Sequence, residues 1–473
     1  MKLKFKTKPW EHQKKALKYL MKHDAAALYT DMGTGKTKVM IDLIQNRGFK
    51  RVLVVAPNKA CEVWEEQISI HGLDDLFSVF RLNNLSKTKV ISILNKVPKW
   101  RRGGVQDETY VFIINYEKVW RDGIDRILLR KTFGIDCVIC DESHRIKSPR
   151  SQCSRYLSKL GKVSAHRYLV TGTPLAENPI DIYAQYRFLD PTIFGKNFTA
   201  FRDTYENLDV ELSMKMGIRM LDKHEPYKNL EDLREKVYSC AFYIESSVEL
   251  PIQNDRYWYF KMPAKSEALY RSVLKEKAAE LNGKYMLSSN ALTLVLRLQQ
   301  ITSGYLAVED FETKEKSIVN IDHARREEFI QLLHMFPENE PIVVFANYTK
   351  DLKNIRLMCK QNKISYSELS GNTDTLQDWK NGKTRVIGVQ YSSGSESIDL
   401  TRARYCVYYS LPRRLALYDQ SRKRIHRPGQ ERPVYYYHML AVMSRGVTID
   451  EKMFRALQQK KEIVDYVMKE GWD

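Results

Sequence analysis

Eight consecutive residues, Thr30-Asp31-Met32-Gly33-Thr34-Gly35-Lys36-Thr37, constrain this chain more than any other feature. They stand between a short apolar run at 25–29 and a stretch with helical spacing at 38–45. Strand, glycine turn and helix, in that order, form the setting in which backbone amides curl around phosphate oxygens at a helix N-terminus. In that reading Gly33, Thr34 and Gly35 form the cradle, Lys36 reaches the β and γ phosphates, and the Thr37 hydroxyl binds Mg²⁺. Thr30 stands where such loops usually begin with glycine, and a plain glycine turn is the alternative. The ligands implied are ATP and Mg²⁺.

The strand-then-helix rhythm continues along the chain. β-branched runs recur at 51–56, 110–115, 136–140 and 167–170, and again at 341–346, 385–390, 405–409 and 434–437. Each is followed by a polar or glycine-bearing motif and a helical stretch, which predicts parallel sheets flanked by helices. Two such series predict two α/β lobes. Between them, 194–205, 230–237, 266–281 and 291–303 carry apolar residues at helical spacing. The boundary is placed at Leu250-Pro251, giving lobes 1–250 and 251–473, with 449–469 as a closing amphipathic helix.

At 473 residues the chain is too long for one ordinary core, and its net charge of +19 favours a polyanionic partner, nucleic acid first. Its seven cysteines follow no disulfide framework, which points to a reducing compartment. Cys137 and Cys140 form a lone Cys-x-x-Cys on an apolar run. Residues three apart on a strand point to opposite faces, so the two are read as core residues rather than metal ligands. No apolar run has the length of a membrane span, and Met1–Lys6 lacks the apolar segment of a signal peptide. A cytoplasmic protein, nucleoid-associated in a bacterial cell, is expected.

A second motif, Asp141-Glu142-Ser143-His144, ends the 136–140 run. Mg²⁺ needs a carboxylate beside the loop threonine, which Asp141 supplies, and Glu142 then orients the attacking water. A solvated acidic turn is the alternative. A third, Thr171-Gly172-Thr173-Pro174, offers the hydroxyls of Thr171 and Thr173 to couple the phosphate site to neighbouring loops, although a simple turn has the same look. Far downstream lies Gln420-Ser421-Arg422-Lys423-Arg424-Ile425-His426-Arg427-Pro428-Gly429-Gln430. Arg424 and Arg427 are candidate arginine fingers for the charge that spreads over a transferring phosphoryl group. Arg422 and Lys423 are read as a basic surface patch.

These motifs, in this order, resemble superfamily 2 helicases, and in detail the Snf2 family, over nearly the whole chain. Gln13, in Trp10-Glu11-His12-Gln13, matches the family's adenine-reading glutamine. Residues 52–57 with Trp64, and Asn115-Tyr116-Glu117, resemble the motifs between the two phosphate motifs. Glu177-Asn178-Pro179, Phe188-Leu189-Asp190-Pro191 and Phe194-Gly195 follow as in the family. Leu296-Arg297, Gln299-Gln300, Val344-Phe345 and Ser370-Gly371 come next, and Gln420, Arg424, His426, Arg427, Gly429 and Gln430 fit its sixth motif. Departures are the serines of Gly394-Ser395-Glu396-Ser397, Asp399 in place of an asparagine, and Leu411-Pro412-Arg413-Arg414 in place of Trp-Asn-Pro. The resemblance implies two RecA-like lobes with helical insertions, Gln420 as a coupling residue, and an ATPase that moves along double-stranded DNA. Tyr116, Lys147, Ser392 and Ser393 are the candidate nucleic-acid contacts, with a core aromatic and a solvated lysine as the other readings of the first two.

Three alternatives stand beside this one: a strand-separating superfamily 2 helicase acting on DNA forks or RNA, with single-stranded DNA or RNA as partner, a nucleic-acid scaffold with a decayed ATPase, and a P-loop transporter or kinase. Intact Lys36, Thr37, Asp141, Glu142, Arg424 and Arg427 oppose the second, and the second lobe opposes the third. The recruiting partner is not legible.

Overall fold

A computed structural model describes residues 3–30, 33–97, 108–121, 123–175, 177–216, 219–222, 224–244, 250–276, 278–281, 284–287, 291–310, 316–391 and 398–469. The chain divides into two compact units, Met1–Glu249 with Glu462–Asp473, and Leu250–Lys461.

The first unit is built on strands β1 (Ala25–Thr30), β2 (Arg51–Ala56), β3 (Phe77–Arg81), β4 (Thr109–Asn115), β5 (Cys137–Asp141), β6 (His166–Thr171) and β7 (Ala241–Ile244). Every pairing is parallel, in the order β3-β4-β2-β5-β6-β1-β7. Period-two alternation divides the strands cleanly between two cores. Leu53, Val55, Phe112, Ile114, Val138 and Cys140 face one cluster, and Val52, Val54, Val111, Ile113, Cys137 and Ile139 the other. Cys137 and Cys140 therefore sit on opposite faces of the sheet. Helices Glu11–Leu20, Lys36–Arg47 and Ala60–His71 cover the second face, and Gln152–Val163 and Ile182–Leu189 the first.

The second unit carries β8 (Gln253–Lys261), then β9 (Ala278–Leu281), β10 (Lys284–Leu287), β11 (Tyr305–Asp310) and β12 (Lys316–Asn320). These are followed by β13 (Ile342–Ala346), β14 (Tyr366–Leu369), β15 (Val386–Gln390), β16 (Tyr405–Tyr408) and β17 (Val434–Val442). A six-stranded parallel sheet runs β14-β15-β13-β16-β17-β8. Beside it β12-β11-β10-β9 form an antiparallel sheet. The helix expected over 266–281 is Ala264–Glu276, and residues 278–281 are strand β9. Ala278 and Leu281 continue the apolar spacing of Leu274 in the sequence, so helical spacing alone does not mark where the helix ends.

The last helix, Ile449–Lys469, begins with a capping box: Thr448 N–H donates to Glu451 Oε2 (2.9 Å) and Glu451 N–H to Thr448 Oγ1 (3.3 Å). Expected wholly within the second lobe, it groups with the first from Glu462 onward, where Val464 packs on the first unit's core. Its first turn is fastened by a buried ion pair. The Arg325 guanidinium bonds Asp450 and the carbonyls of Thr302 (3.0 Å), Tyr409 and Met439 (3.4 Å). Asp450→Ala strands that guanidinium in a dry core, and the expected loss is about 3–5 kcal/mol in urea unfolding of the second unit's transition. Arg325→Met with Asp450→Leu should cost clearly less.

Candidate functional site

The phosphate loop leaves β1 and opens helix Lys36–Arg47, whose N-cap is Gly35. Gly33 and Gly35 adopt φ of +82° and +77°, a region closed to most side chains. A Cβ at Gly35 would lie 2.2 Å from Gln13 Nε2, so the close approach of Gln13 requires glycine there. Gln13 is held at both ends of its amide. Its Oε1 accepts Trp10 N–H (2.9 Å) and its Nε2 donates to the Thr34 carbonyl (3.1 Å), which His12 Nε2 also meets at 2.9 Å. Thr30, in place of the usual glycine, joins its hydroxyl to that of Thr34 at 2.9 Å, bracing the loop across its base. The Lys36 ammonium donates to the Thr30 carbonyl at 2.9 Å and so lies folded on its own loop.

Strand β5 delivers the second motif to the same edge of the sheet. Asp141 pairs with Val170 and Tyr29 with Thr171, so the carboxyl ends of β5, β6 and β1 lie level. With β6 between them, β5 and β1 run about 10 Å apart at the usual strand spacing. Asp141 is fixed by Trp64, whose indole Nε1 donates to Oδ2 at 2.8 Å, and by Glu142 N–H on Oδ1 at 3.0 Å. A buried Trp must place its N–H, and here that need orients the carboxylate. The pairing of Trp64 with Asp141 was invisible in sequence, because the two are 77 positions apart.

Glu142 has φ of +49°, a left-handed conformation that costs a non-glycine residue on the order of 1–3 kcal/mol. Its side chain is buried and accepts from Thr171 Oγ1 at 3.0 Å, with His144 Nδ1 at 3.3 Å. Burial pushes its carboxyl pKa up. The hydrogen bond and charge of His144, the Lys36 ammonium and the Thr171 hydroxyl outweigh that and hold it well below the usual carboxylate range. Thr173 joins the cluster through its N–H to Thr171 Oγ1 (3.1 Å) and its hydroxyl beside His144 Nδ1 (3.4 Å). Ser143 Oγ donates to Gln185 Oε1 (2.7 Å), and Gln185 Nε2 donates to the Pro174 carbonyl (2.7 Å), tying the second and third motifs to helix Ile182–Leu189. Sequence reading missed His144 and Gln185 as members of the site. The signal for His144 was its place in the second motif, two residues after Glu142.

Two nucleic-acid candidates take other roles. Tyr116 is only 4% exposed, and its hydroxyl donates to the Asp141 carbonyl at 2.6 Å; it braces the second motif from the core. Lys147 lies between Asp181 (3.2 Å) and Glu177 (3.7 Å), so its charge is matched within the fold. Ser392 and Ser393 lie outside the described residues.

In the second unit the distant arginines follow helix Leu415–Arg422. Gln420 and Arg424 are buried, and the Arg424 carbonyl accepts from Leu400 N–H at 3.0 Å. Arg427 is half-buried, and its charge helps lower the pKa of Asp399. Arg422 is no surface patch: it is buried against Asp255, donates to Gln253 Oε1 (2.9 Å), and lies 4.0 Å over the Tyr436 ring. His426 meets the Pro251 carbonyl at 2.6 Å, and Gln430 Nε2 donates to the carbonyls of Ala403 (2.8 Å) and Thr401 (3.1 Å). This motif thus spends Arg422, His426 and Gln430 on holding its own lobe.

The profile of the SNF2-related domain matches residues 12–304, and that of the helicase conserved C-terminal domain matches 324–429. The chain belongs to the SNF2-related family. As a member of this family it is an ATP-hydrolysing enzyme, a helicase-like Snf2 ATPase. It is 24% identical to "Putative protein p41" of Acyrthosiphon pisum secondary endosymbiont phage 1, covering 98% of each chain. It is 22% identical to the human DNA repair and recombination proteins RAD54B and RAD54-like, covering 94% and 98% of this chain. The chain spans 52% of the former's length and 66% of the latter's. Among solved structures it aligns over its whole length with a Sulfolobus solfataricus SWI2/SNF2 ATPase core in complex with dsDNA, at 18% identity, 96% of that chain and a TM-score of 0.42. No helix among the described residues is long and apolar enough to cross a membrane.

His144→Ala removes the main group that opposes burial at Glu142. The Glu142 pKa should then rise, and the acidic limb of the ATPase pH profile should move to higher pH, while the alkaline limb stays in place.

Proposed function

We propose that this chain is a motor that couples ATP hydrolysis to movement along double-stranded DNA without needing to separate its strands. The observation that carries the reading is the buried Glu142, bonded by Thr171 and beside His144, at the level sheet edge it shares with the phosphate loop. In this reading Gly33, Thr34, Gly35 and Lys36 bind the phosphates, and Gln13 meets adenine. Asp141 and Thr37 supply the carboxylate and hydroxyl oxygens that suit Mg²⁺, which when bound neutralises charge on the β and γ phosphates. Glu142 accepts a hydrogen bond from the attacking water and aims it at the γ-phosphorus. The folded Lys36 ammonium exchanges the Thr30 carbonyl for phosphate oxygens. Arg424 and Arg427 stabilise the charge that develops during transfer. Thr171, Thr173 and Gln420 relay the state of the phosphate site to the rest of each lobe. The relatives' names in DNA repair and recombination and the net charge of +19 support duplex DNA as the track.

Steady-state ATPase activity without nucleic acid and with single-stranded DNA, double-stranded DNA or RNA tests the reading. Duplex DNA is expected to stimulate most. Glu142→Gln should retain ATP binding and lose turnover, Lys36→Ala should lose binding, and Arg427→Ala should bind ATP with turnover down a hundredfold or more. Stimulation by single strands or RNA alone would instead favour the strand-separating helicase.

A further inference from the structure

With Tyr116 in the core and Lys147 paired inside the fold, the motor reading lacks a described surface for its track. One stretch of the first unit offers it. Between Glu142 and Glu177 the chain carries seven Lys and Arg residues and no Asp or Glu. Arg145 is paired with Glu117 and Lys147 with Asp181, while Arg167 bonds the Gly161 carbonyl. The remaining four, Arg150, Arg155, Lys159 and Lys162, are all exposed, and none forms an ion pair among the described residues.

Three of them lie on helix Gln152–Val163. Its inner face is buried through Tyr156, Leu157, Leu160 and Gly161, where a Cβ on Gly161 would meet the Phe188 carbonyl at 2.8 Å. That packing fixes the rotation of the helix and leaves Arg155, Lys159 and Lys162 on the outer face, at spacings of four and three. From Arg155 to Lys162 the rise is about 10 Å. Over that length one strand of B-DNA presents about three phosphates.

The charge is not explained by the helix itself. A helix favours acids in its first turn and bases in its last, so Lys162 is well placed, but the first turn holds no acid and Arg155 follows it directly. Arg155 also lies close enough to Arg187 for its charge to help lower the Arg187 pKa, after burial, so like charges crowd here rather than cancel. The Tyr156 hydroxyl reaches the Asp125 carbonyl, and the exposed Arg126 and Arg130 of that neighbouring segment extend the positive surface. Such a face repels itself until a polyanion covers it.

We infer that Arg150, Arg155, Lys159 and Lys162 form a phosphate-binding face for duplex DNA on the first lobe, separate from the ATP site. The inference rests on the reading of the chain as a DNA motor. The contacts are to the backbone, so the face holds the track without reading sequence.

The test is duplex binding by the full chain over a salt series, comparing the natural protein with the combined Arg155→Gln, Lys159→Gln, Lys162→Gln variant. Glutamine keeps helix propensity, and an unchanged melting temperature and DNA-free ATPase rate check the fold. The slope of log K against log salt is expected to be about 3 less negative in the variant, one for each lost phosphate contact. An unchanged slope, with the natural protein binding duplex normally, overturns the inference and leaves the motor reading standing. Failure of the natural protein to bind duplex overturns both. An equal change in slope with duplex RNA overturns the assignment of DNA as the partner.

Discussion

Everything at the candidate site depends on keeping the Glu142 carboxylate charged inside the protein. Burial alone would neutralise it. The His144 ring, the Thr171 hydroxyl and the Lys36 ammonium oppose burial together, and they come from three separate strand ends. A parallel sheet with its carboxyl ends level brings these groups together from distant parts of the chain. The left-handed backbone at Glu142 is part of the same arrangement: it turns the side chain toward the third motif, and the bonds made there hold the strained conformation.

The supporting groups share a logic. Trp64 and Tyr116 fix Asp141 from its carboxylate and its carbonyl, and Gln185 bridges Ser143 to Pro174. In the second unit Arg422, His426 and Gln430 do the equivalent work around the two candidate arginine fingers. Residues that look alike in a motif thus divide between chemistry and scaffold. Arg422 and Arg424 are two positions apart, yet the first is consumed by Asp255 and the face of Tyr436.

That division marks how far the sequence could be read. The phosphate loop, the acidic pair and most parallel strands were legible because each is a local pattern with a local cause: glycine at positive φ, or a β-branched run ending in a polar motif. The opposite-facing cysteines were legible for the same reason. Tyr116, Lys147 and Arg422 were not, because their roles are set by partners at long separation, such as Asp141, Asp181 and Asp255. Strands β3, β7, β8 and β14 went unread; all four lie at sheet edges, and in β3 and β8 burial is partial and the apolar signal is diluted. The antiparallel sheet escaped because its strands are short and mixed in polarity.

The central claim is movement along a duplex that stays paired. Displacement of a third strand from a DNA triplex, followed beside strand separation on the same duplex under ATP, tests it most directly. The expected result is ATP-dependent release of the third strand with the underlying duplex intact. Separation of the duplex strands, or no release at all while ATP is being hydrolysed, would contradict the account.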